Sequence, residues 1–285
     1  MHPDHELNRS SWNELAAVHG QDAYYDSEAH AAGANSLIEE EEAALFEAIG
    51  PDLTGRRVLH LQCHLGFDAI TFARRGASVT GVDFSAVALA KARLLARRCG
   101  VDVEWICADA TALPDALDRK FDLTWATMGI HCWIADIRAW MRCVATALAP
   151  GGKLILIDGH PGGPARKSDD APINRLESPR LRRYLDTGCD YATPTRTGPQ
   201  VQFRYPLAEV VAAAENAGLR VNQLLEYTAT SDGLCIENLR READGRYRHR
   251  VDGEARPVLF SLTAAHAGGD VENACPASTS QYRRH

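Results

Sequence analysis

Hydrophobic and polar positions follow two alternating patterns from Val58 onward. Short apolar runs of strand length alternate with longer segments of helical spacing, and glycines close several of the helices. The predicted strands are 58–62, 78–83, 103–107, 121–127, 153–158, 219–227 and 257–265, and the predicted helices are 67–76, 86–100, 134–148 and 207–216. This alternation predicts right-handed crossovers and a doubly wound α/β fold with a mostly parallel sheet.

Three segments lie outside the alternating core. Residues 1–55 are helical in pattern and rich in acid, which is typical of a cap over the open end of the sheet or of an ordinary packed extension. Residues 159–200 contain six prolines, and we expect a cover loop there that selects the substrate. Residues 268–285 are predicted to be a disordered tail. A ligand-binding domain of residues 56–267 remains.

Composition and charge exclude several classes of partner. The chain has 285 residues, 45% of them hydrophobic, and a net charge of −7, which argues against nucleic acid and favours a small-molecule substrate. No apolar run is long enough for a membrane span, and no basic leader precedes an apolar core, so we expect a cytoplasmic protein. Eight cysteines without zinc spacing predict neither a metal site nor a disulfide.

Polar residues follow the first three predicted strands, at the sheet edge where doubly wound folds bind ligands. Asp83 lies 17 residues after Gly66, near the spacing at which a carboxylate binds ribose hydroxyls. Asp109 follows the third strand, where it would read an adenine amino group or only cap a helix. Together these residues predict an adenosine-binding edge.

Two histidines follow the fourth and fifth predicted strands. His131 lies in GIHCWIAD and His160 lies in DGHP, both at the rim where an acceptor would bind. Because histidine titrates near neutral pH, each is a candidate catalytic base or acceptor-positioning group. The alternative is that each only orders its own loop.

Four segments carry a family resemblance. They are VLHLQCHLGFDAITFARRGASVTGVDFS, ADATALP, FDLTWATMGIHCWIAD and LAPGGKLILIDGHP, and they resemble the class I S-adenosylmethionine (SAM)-dependent methyltransferases. The resemblance is strongest to a bacterial small-molecule branch whose first loop reads HLQCH. It implies a Rossmann-like methyltransferase fold with a seven-stranded sheet and an N-terminal helical cap. It also implies SAM as cofactor and methyl transfer to N, O or C of a small molecule, with secondary metabolism as one setting.

The resemblance also implies a set of cofactor-binding residues. Gly66 would admit the methionine part of SAM, Asp83 would hold the ribose, and the aromatic pair from the N-terminal segment would close over the sulfonium. The full set is Trp12, Tyr25, Gln62, His64, Gly66, Asp83, Phe84, Asp109, Ala110 and Met128. For Trp12 and Tyr25, plain packing of the cap is the alternative.

The first loop departs from the family's common D-x-G-x-G pattern. His60, Gln62 and His64 stand where most members have Asp, Gly and Gly. Glycine there lets backbone approach the ligand, so Gln62 and His64 must point away or contact the cofactor. The resemblance implies the second case for His64, with the methionine carboxylate as its partner. The first loop also lacks the G-x-G-x-x-G pattern, which lets backbone approach a pyrophosphate, so a nicotinamide cofactor is a poorer fit.

Two alternative functions remain open at the level of sequence. One is an enzyme that binds SAM without transferring its methyl group, since the same fold supports many chemistries. The other is a non-catalytic SAM-binding subunit. Detection of S-adenosylhomocysteine after turnover separates both from a methyltransferase.

Overall fold

A computed structural model describes residues 1–22, 24–113, 117, 120–163, 182–186, 192, 197–233 and 239–268 of the chain. Most of the predicted cover loop, and all of the predicted tail except Gly268, lie outside these residues. Within residues 182–186 only the backbone is described.

Twelve strands are present among the described residues. They are β1 (Arg57–Leu61), β2 (Ser78–Asp83), β3 (Glu104–Cys107), β4 (Phe121–Thr127), β5 (Leu148–Gly159), β6 (Arg182–Asp186), β7 (Gln200–Arg204), β8 (Leu219–Tyr227), β9 (Arg240–Arg241), β10 (Tyr247–Val251), β11 (Glu254–Arg256) and β12 (Leu259–His266). Seven of them form one sheet in the order β3-β2-β1-β4-β5-β12-β8. The first five run parallel, and β12 is antiparallel to both of its neighbours. The predicted fold class is confirmed.

Helices cover both faces of the sheet. They are α1 (Pro3–Val18), α2 (Ser27–Ala31), α3 (Glu39–Ile49), α4 (Phe67–Arg74), α5 (Ala86–Arg98), α6 (Ile137–Ala147) and α7 (Leu207–Asn216), with one 3-10 turn at His131–Trp133. Ser85 caps α5 through its hydroxyl, and Asp136 caps α6 through its carboxylate. The core on one face centres on Trp140 and the core on the other face on Trp125, and both rings are fully buried.

The N-terminal segment contains α1, α2 and α3, which together are called the cap. α1 packs along β7 and α5, and α3 packs against β5 and β12. The side chain of Asn8 in α1 pairs with both the N–H and the carbonyl of Val201, at 2.7 and 2.8 Å. Because these backbone groups are buried, the two hydrogen bonds fix α1 beside the carboxyl edge of the sheet.

Two small sheets were not predicted. One is β9-β10-β11, and the other pairs β6 with β7. Arg246, beside β10, forms ion pairs with Glu39 and Glu40 of α3, so the three-stranded sheet is tied to the cap. Within the described parts of the chain, none of the helices combines the length and apolar character required to cross a membrane.

Candidate active site

A cleft opens where β1, β2, β3 and β4 end. Its volume is about 640 Å³ when the space that opens to solvent is included. Nine of the ten predicted cofactor residues line it, namely Trp12, Tyr25, Gln62, His64, Asp83, Phe84, Asp109, Ala110 and Met128. The sequence therefore pointed to side chains that the fold brings together, although they come from six separate segments.

Asp83 ends β2, and its carboxylate lines the cleft. One oxygen accepts the N–H of His64 at 2.9 Å, and the other accepts the N–H of Ser85 at 2.8 Å. Burial raises the pKa of Asp83 to about 6, although these backbone hydrogen bonds act against the shift. A buried carboxylate of this kind gains from a ligand that donates hydrogen bonds to it.

Backbone strain is concentrated at the same cleft. Gln62, His64 and Met128 have φ values of 54°, 46° and 57°, in the left-handed region that normally selects glycine. Three of the four described non-glycine residues with positive φ thus line the cleft. Each costs about 1–2 kcal/mol of conformational free energy. This strained backbone places the side chains of Gln62, His64 and Met128 in the cleft lining.

Gln62 supplies an acceptor atom to the cleft. Its amide nitrogen donates to the carbonyl of Ile130 at 3.3 Å, while its buried Oε1 has no hydrogen-bond partner among the described residues. An acceptor left in this state costs about 1–3 kcal/mol, so a donor on a bound ligand is favoured beside it.

Asp109 follows β3 and is held by an unpredicted residue, His5 of α1. Its carboxylate contacts His5 Nδ1 at 2.8 Å and accepts from the backbone and hydroxyl of Thr111. Burial raises the pKa of Asp109, but the hydrogen bonds from His5 and Thr111 outweigh it and bring the pKa down to about 2. The N–H of Ala135 donates to His5 Nε2 at 2.9 Å, so the neutral ring carries its proton on Nδ1. His5 therefore joins α1 to two loops of the site.

An aromatic cluster covers the first loop. The ring of Trp12 lies edge-on to His64 and to Trp133, with centroids 5.3 Å apart in both pairs. Tyr25 lies 5.0 Å from His64 and stacks on His19 at 4.6 Å. His19 Nδ1 lies 2.9 Å from His64 Nε2, so the two imidazoles share a hydrogen bond. The cap thus contributes one wall of the cleft.

His131 is buried beside the cleft and does not line it. Its Nδ1 lies 2.6 Å from Asp158, and its ring packs edge-on against Phe260. Asp158 also accepts the backbone N–H groups of Gly129, Ile130 and His131. Although burial acts to raise the pKa of Asp158, the charge and hydrogen bonds of His131 and these amides lower it well below its ordinary value. The pair orders the loop after β4, and catalysis by His131 stays a prediction.

His160 also lies outside the cleft lining. Its Nε2 contacts Glu226 of β8 at 2.8 Å, and its Nδ1 accepts the N–H of Gly162 at 3.0 Å. Burial lowers the pKa of His160, although Glu226 opposes this effect. Both ring nitrogens are engaged in holding the loop after β5, so the proposed base would first have to release a partner.

Gly66 packs against the ring of Trp105. It does not line the cleft, and a Cβ atom there would lie 2.2 Å from the Trp105 ring on β3. Its φ of 75° also favours glycine at the start of α4. Gly66 therefore allows the first loop to pack closely on β3, and its place beside the methionine part of the cofactor stays a prediction.

His5 and His19 are the site residues that sequence reasoning missed. Both lie in the N-terminal segment, more than 40 residues before the loops that they contact. The helical pattern of α1 gave no sign of which face meets the sheet edge. Their one signal was a concentration of histidines in the cap, at His2, His5, His19 and His30.

Comparison with sequence families matches the segment from β1 to the start of β5. Residues 58–152 match the family described as "Methyltransferase domain". The ubiquinone biosynthesis O-methyltransferase of Pseudomonas entomophila is 35% identical over 180 residues, covering 62% of this chain and 69% of that protein. The protein of the same name from Idiomarina loihiensis is 37% identical over 103 residues, covering 36% of this chain and 42% of that protein. The chain thus spans less than half the length of the second relative.

Comparison with solved structures agrees at the level of fold. A SAM-dependent methyltransferase from Clostridium acetobutylicum superimposes with a TM-score of 0.55 at 14% identity. The match covers 90% of this chain and 99% of that chain. The similarity in fold therefore extends well beyond residues 58–152.

Proposed function

The chain belongs to the SAM-dependent methyltransferases, and from this membership we propose that it methylates an oxygen atom of a small-molecule acceptor. Oxygen is favoured over nitrogen and carbon because the relatives from Pseudomonas entomophila and Idiomarina loihiensis are named O-methyltransferases. A net charge of −7 supports a small acceptor rather than a nucleic acid.

The residues of the cleft fit the cofactor of this family. SAM supplies a methyl carbon that its positive sulfur has already activated. We propose that Asp83 holds the ribose hydroxyls and that Phe84, Asp109 and Ala110 surround the adenine. The unpartnered Oε1 of Gln62 suits a donor such as the α-ammonium group. The cleft lining carries two carboxylates and several aromatic faces, which favour a cationic ligand.

The cap residues of the cleft would exclude water from the reaction. Trp12, Tyr25 and Trp133 place three aromatic rings along the cleft. In the proposed mechanism these rings hold the cofactor so that its methyl carbon faces the acceptor, because alignment supplies much of the rate of an in-line displacement. We also propose that the segment 159–200 selects the acceptor, and His131 and His160 remain the proposed groups for its proton.

The observation that carries the proposal is the convergence of nine predicted side chains on one cleft at the carboxyl edge of a methyltransferase sheet. Mass spectrometry of the purified protein tests it first, and we expect retained SAM or S-adenosylhomocysteine. The protein is then incubated with methyl-labelled SAM and matched acceptors that carry either a hydroxyl or an amine. Labelled methyl ether with formation of S-adenosylhomocysteine is the expected result. Label on the amine alone would overturn the choice of oxygen.

A further inference from the structure

We infer that Glu41 is a positioning residue of the cleft, which keeps its proton at neutral pH and donates it to the hydroxyl of Thr127 at the end of β4. The retained proton belongs to the scaffold, so its presence does not depend on the proposed function. It makes the shape of the cofactor site depend on pH through a group that lies outside the cleft lining.

Two carboxyl groups meet at one hydroxyl outside the cleft lining. Asp68 of α4 accepts the hydroxyl of Thr127 at 3.1 Å, and Glu41 of α3 hydrogen-bonds the same hydroxyl. A hydroxyl has one proton to donate, so it can donate to only one of two carboxylates. The other carboxyl group has to donate a proton of its own, because a buried charge without a donor is costly.

The donors around the two carboxyl groups assign the proton to Glu41. The indole N–H of Trp125 donates to the same oxygen of Asp68 at 3.0 Å, so Asp68 accepts two hydrogen bonds there. Glu41 accepts the backbone N–H of Ile38 at 3.0 Å and is only 2% exposed. Burial, followed by the charge of Asp68, raises the pKa of Glu41 well above its ordinary value, although its two hydrogen bonds act against this shift.

A charge on Glu41 would have no partner of opposite sign. Within the part of the chain that the structure describes, the cations beside α3 are engaged elsewhere, namely Arg75 with Glu42, Arg246 with Glu39 and Glu40, and Lys153 with the carbonyl of Ala48. The titratable rings nearby stay neutral, because burial lowers the pKa of His30 and His60 and raises that of Tyr227. Ionised Glu41 would therefore face the like charge of Asp68.

Thr127 connects the retained proton to the cleft. It is the last residue of β4, and the next residue, Met128, lines the cleft with a φ of 57°. Asp68 belongs to the first turn of α4, which begins directly after the first loop. Loss of the proton would set two carboxylates against one hydroxyl, so we expect the end of β4 and the start of α4 to shift. Met128 would then lose its position in the cofactor site.

Infrared spectroscopy detects the retained proton directly. A protonated carboxylic acid has a carbonyl stretching band separate from those of carboxylates and amides. Spectra of the full-length protein at pH 7 are compared with those of Glu41→Gln, whose amide can still donate to Thr127. We expect the band in the wild type and its loss in Glu41→Gln, since Asp83 and the other carboxyl groups contribute equally to both spectra. A difference spectrum without the band would overturn the inference.

The retained proton also gives the stability a distinct pH dependence. Glutamate in the unfolded chain ionises above about pH 4.3, whereas folded Glu41 keeps its proton, so unfolding releases one proton. Between pH 5 and pH 7, the unfolding constant of the wild type is expected to rise about tenfold per pH unit relative to that of Glu41→Gln. Urea denaturation measures both constants. A ratio that does not change with pH would contradict proton retention.

Glu42→Gln, one residue further along α3, is the matched control. Its hydrogen bonds with Arg75 lower the pKa of Glu42, so this carboxylate is ionised in the folded and the unfolded chain between pH 5 and pH 7. We expect its unfolding constant to keep a fixed ratio to that of the wild type over this range, with the infrared band unchanged. The same pH trend in Glu41→Gln and Glu42→Gln would show a general effect of charge on α3 and overturn the assignment.

SAM binding tests the link between the retained proton and the cleft. Dissociation constants are measured from pH 7 upward, across the pH at which the infrared band of the wild type disappears. We expect the wild type to lose affinity about tenfold across that pH and Glu41→Gln to retain it. Since ionisation of the cofactor affects both proteins equally, identical profiles would overturn the positioning role. Failure of the folded wild type to bind SAM at any pH would refute the proposed function, while the infrared band and the unfolding constants would still report the proton.

Discussion

Asp83 combines burial with an incomplete set of partners. Two backbone amides hold its carboxylate, yet its pKa is still raised to about 6. Gln62 and His64 reach the same cleft from left-handed backbone that glycine would occupy without strain. The strained backbone of Gln62 and His64 and the buried carboxylate of Asp83 lower the free energy of unfolding. Hydrogen bonds to a bound cofactor would offset this loss. Residues that lower the stability of the fold in this way are commonly part of functional sites.

Removing the central carboxylate tests its proposed role. Asp83→Ala is expected to weaken SAM binding at least tenfold, because the ribose hydroxyls lose their acceptor. Calorimetry or equilibrium dialysis measures the dissociation constant. Asp102→Asn, which removes an exposed carboxylate near β3, is the control. Unchanged affinity in Asp83→Ala would remove the ribose assignment.

The pKa of Asp83 also predicts how binding depends on pH. The ionised form accepts hydrogen bonds from the ligand, and this form is lost as the pH falls through about 6. The ionised fraction drops about tenfold between pH 7 and pH 5, so affinity is expected to fall by a similar factor. Dissociation constants for SAM measured at half-unit steps would show the transition. Asp83→Asn should remove this dependence, and its persistence there would contradict the assignment.

His131 allows catalysis and cofactor binding to be separated. Since its ring lies behind the cleft lining, His131→Ala is expected to lower turnover while SAM affinity changes less than about threefold. Steady-state rates with an acceptor that the wild-type protein methylates give the turnover, and direct titration of SAM gives the affinity. His249→Ala, a histidine on β10 away from the cleft, is the comparison. Wild-type turnover in His131→Ala would exclude a catalytic role.

At the scale of elements, α1 is the piece that turns an open sheet edge into a cleft. It runs for 16 residues, about 24 Å, and its buried polar residues contact the loop after β3 and the segment 197–201. His5 joins Asp109, Asn8 joins Val201, and Ser11 contacts Thr197 and Gln200. Polar contacts of this kind fix one orientation, because each would leave an unpaired buried group in any other.

Loosening α1 is expected to weaken the site without changing its chemistry. Asn8→Ala removes the partner of both backbone groups of Val201, and buried groups left unpaired cost about 1–3 kcal/mol. Hydrogen exchange of α1 amides should accelerate relative to α5, and SAM affinity should fall. Val18→Ala, at the exposed end of the same helix, is the matched control. Equal protection of α1 in both variants would show that the helix is held by other contacts.

The elements also show why some features were predictable. The seven strands of the main sheet and α4 to α7 were predictable from their apolar patterns, because each strand or helix buries apolar side chains in the two cores. β9 to β11 are two to five residues long and largely exposed, so they lack that signal. Asp83 was predicted to bind ribose because it lies 17 residues after Gly66, within one βαβ unit. His5 and His19 depend on where a distant helix docks, which local pattern does not determine.

At the scale of the whole molecule, the two cores and the cap meet at one edge of the sheet. The cleft is lined by side chains from α1, the segment before α2, and the loops after four strands. A cofactor bound in this cleft would bridge segments that lie far apart in the chain, so we expect its binding to be coupled to folding. The family segment, residues 58–152, contains β2, β3, β4 and most of β1, and it leaves out the cap, β8 and β12.

This coupling predicts thermal stabilisation by the cofactor. A ligand at one hundred times its dissociation constant stabilises the native state by about 2.7 kcal/mol. For a protein of this size, that corresponds to a rise in Tm of about 5 °C or more. Differential scanning fluorimetry with SAM and with S-adenosylhomocysteine measures the shift, and ATP serves as a control nucleotide. Equal shifts with ATP would show that adenosine recognition alone is responsible.

The direction of β12 has a practical outcome for handling the enzyme. Because β12 runs antiparallel to β5, it starts at Leu259 on the cleft side and ends at His266 on the far side of the sheet. An affinity tag, fluorophore or solid support joined after His266 would thus start on the side of the sheet that faces away from the cleft. The same attachment at the amino end would load the start of α1, one turn from His5. Immobilised or fused preparations should accordingly be built from the carboxyl terminus.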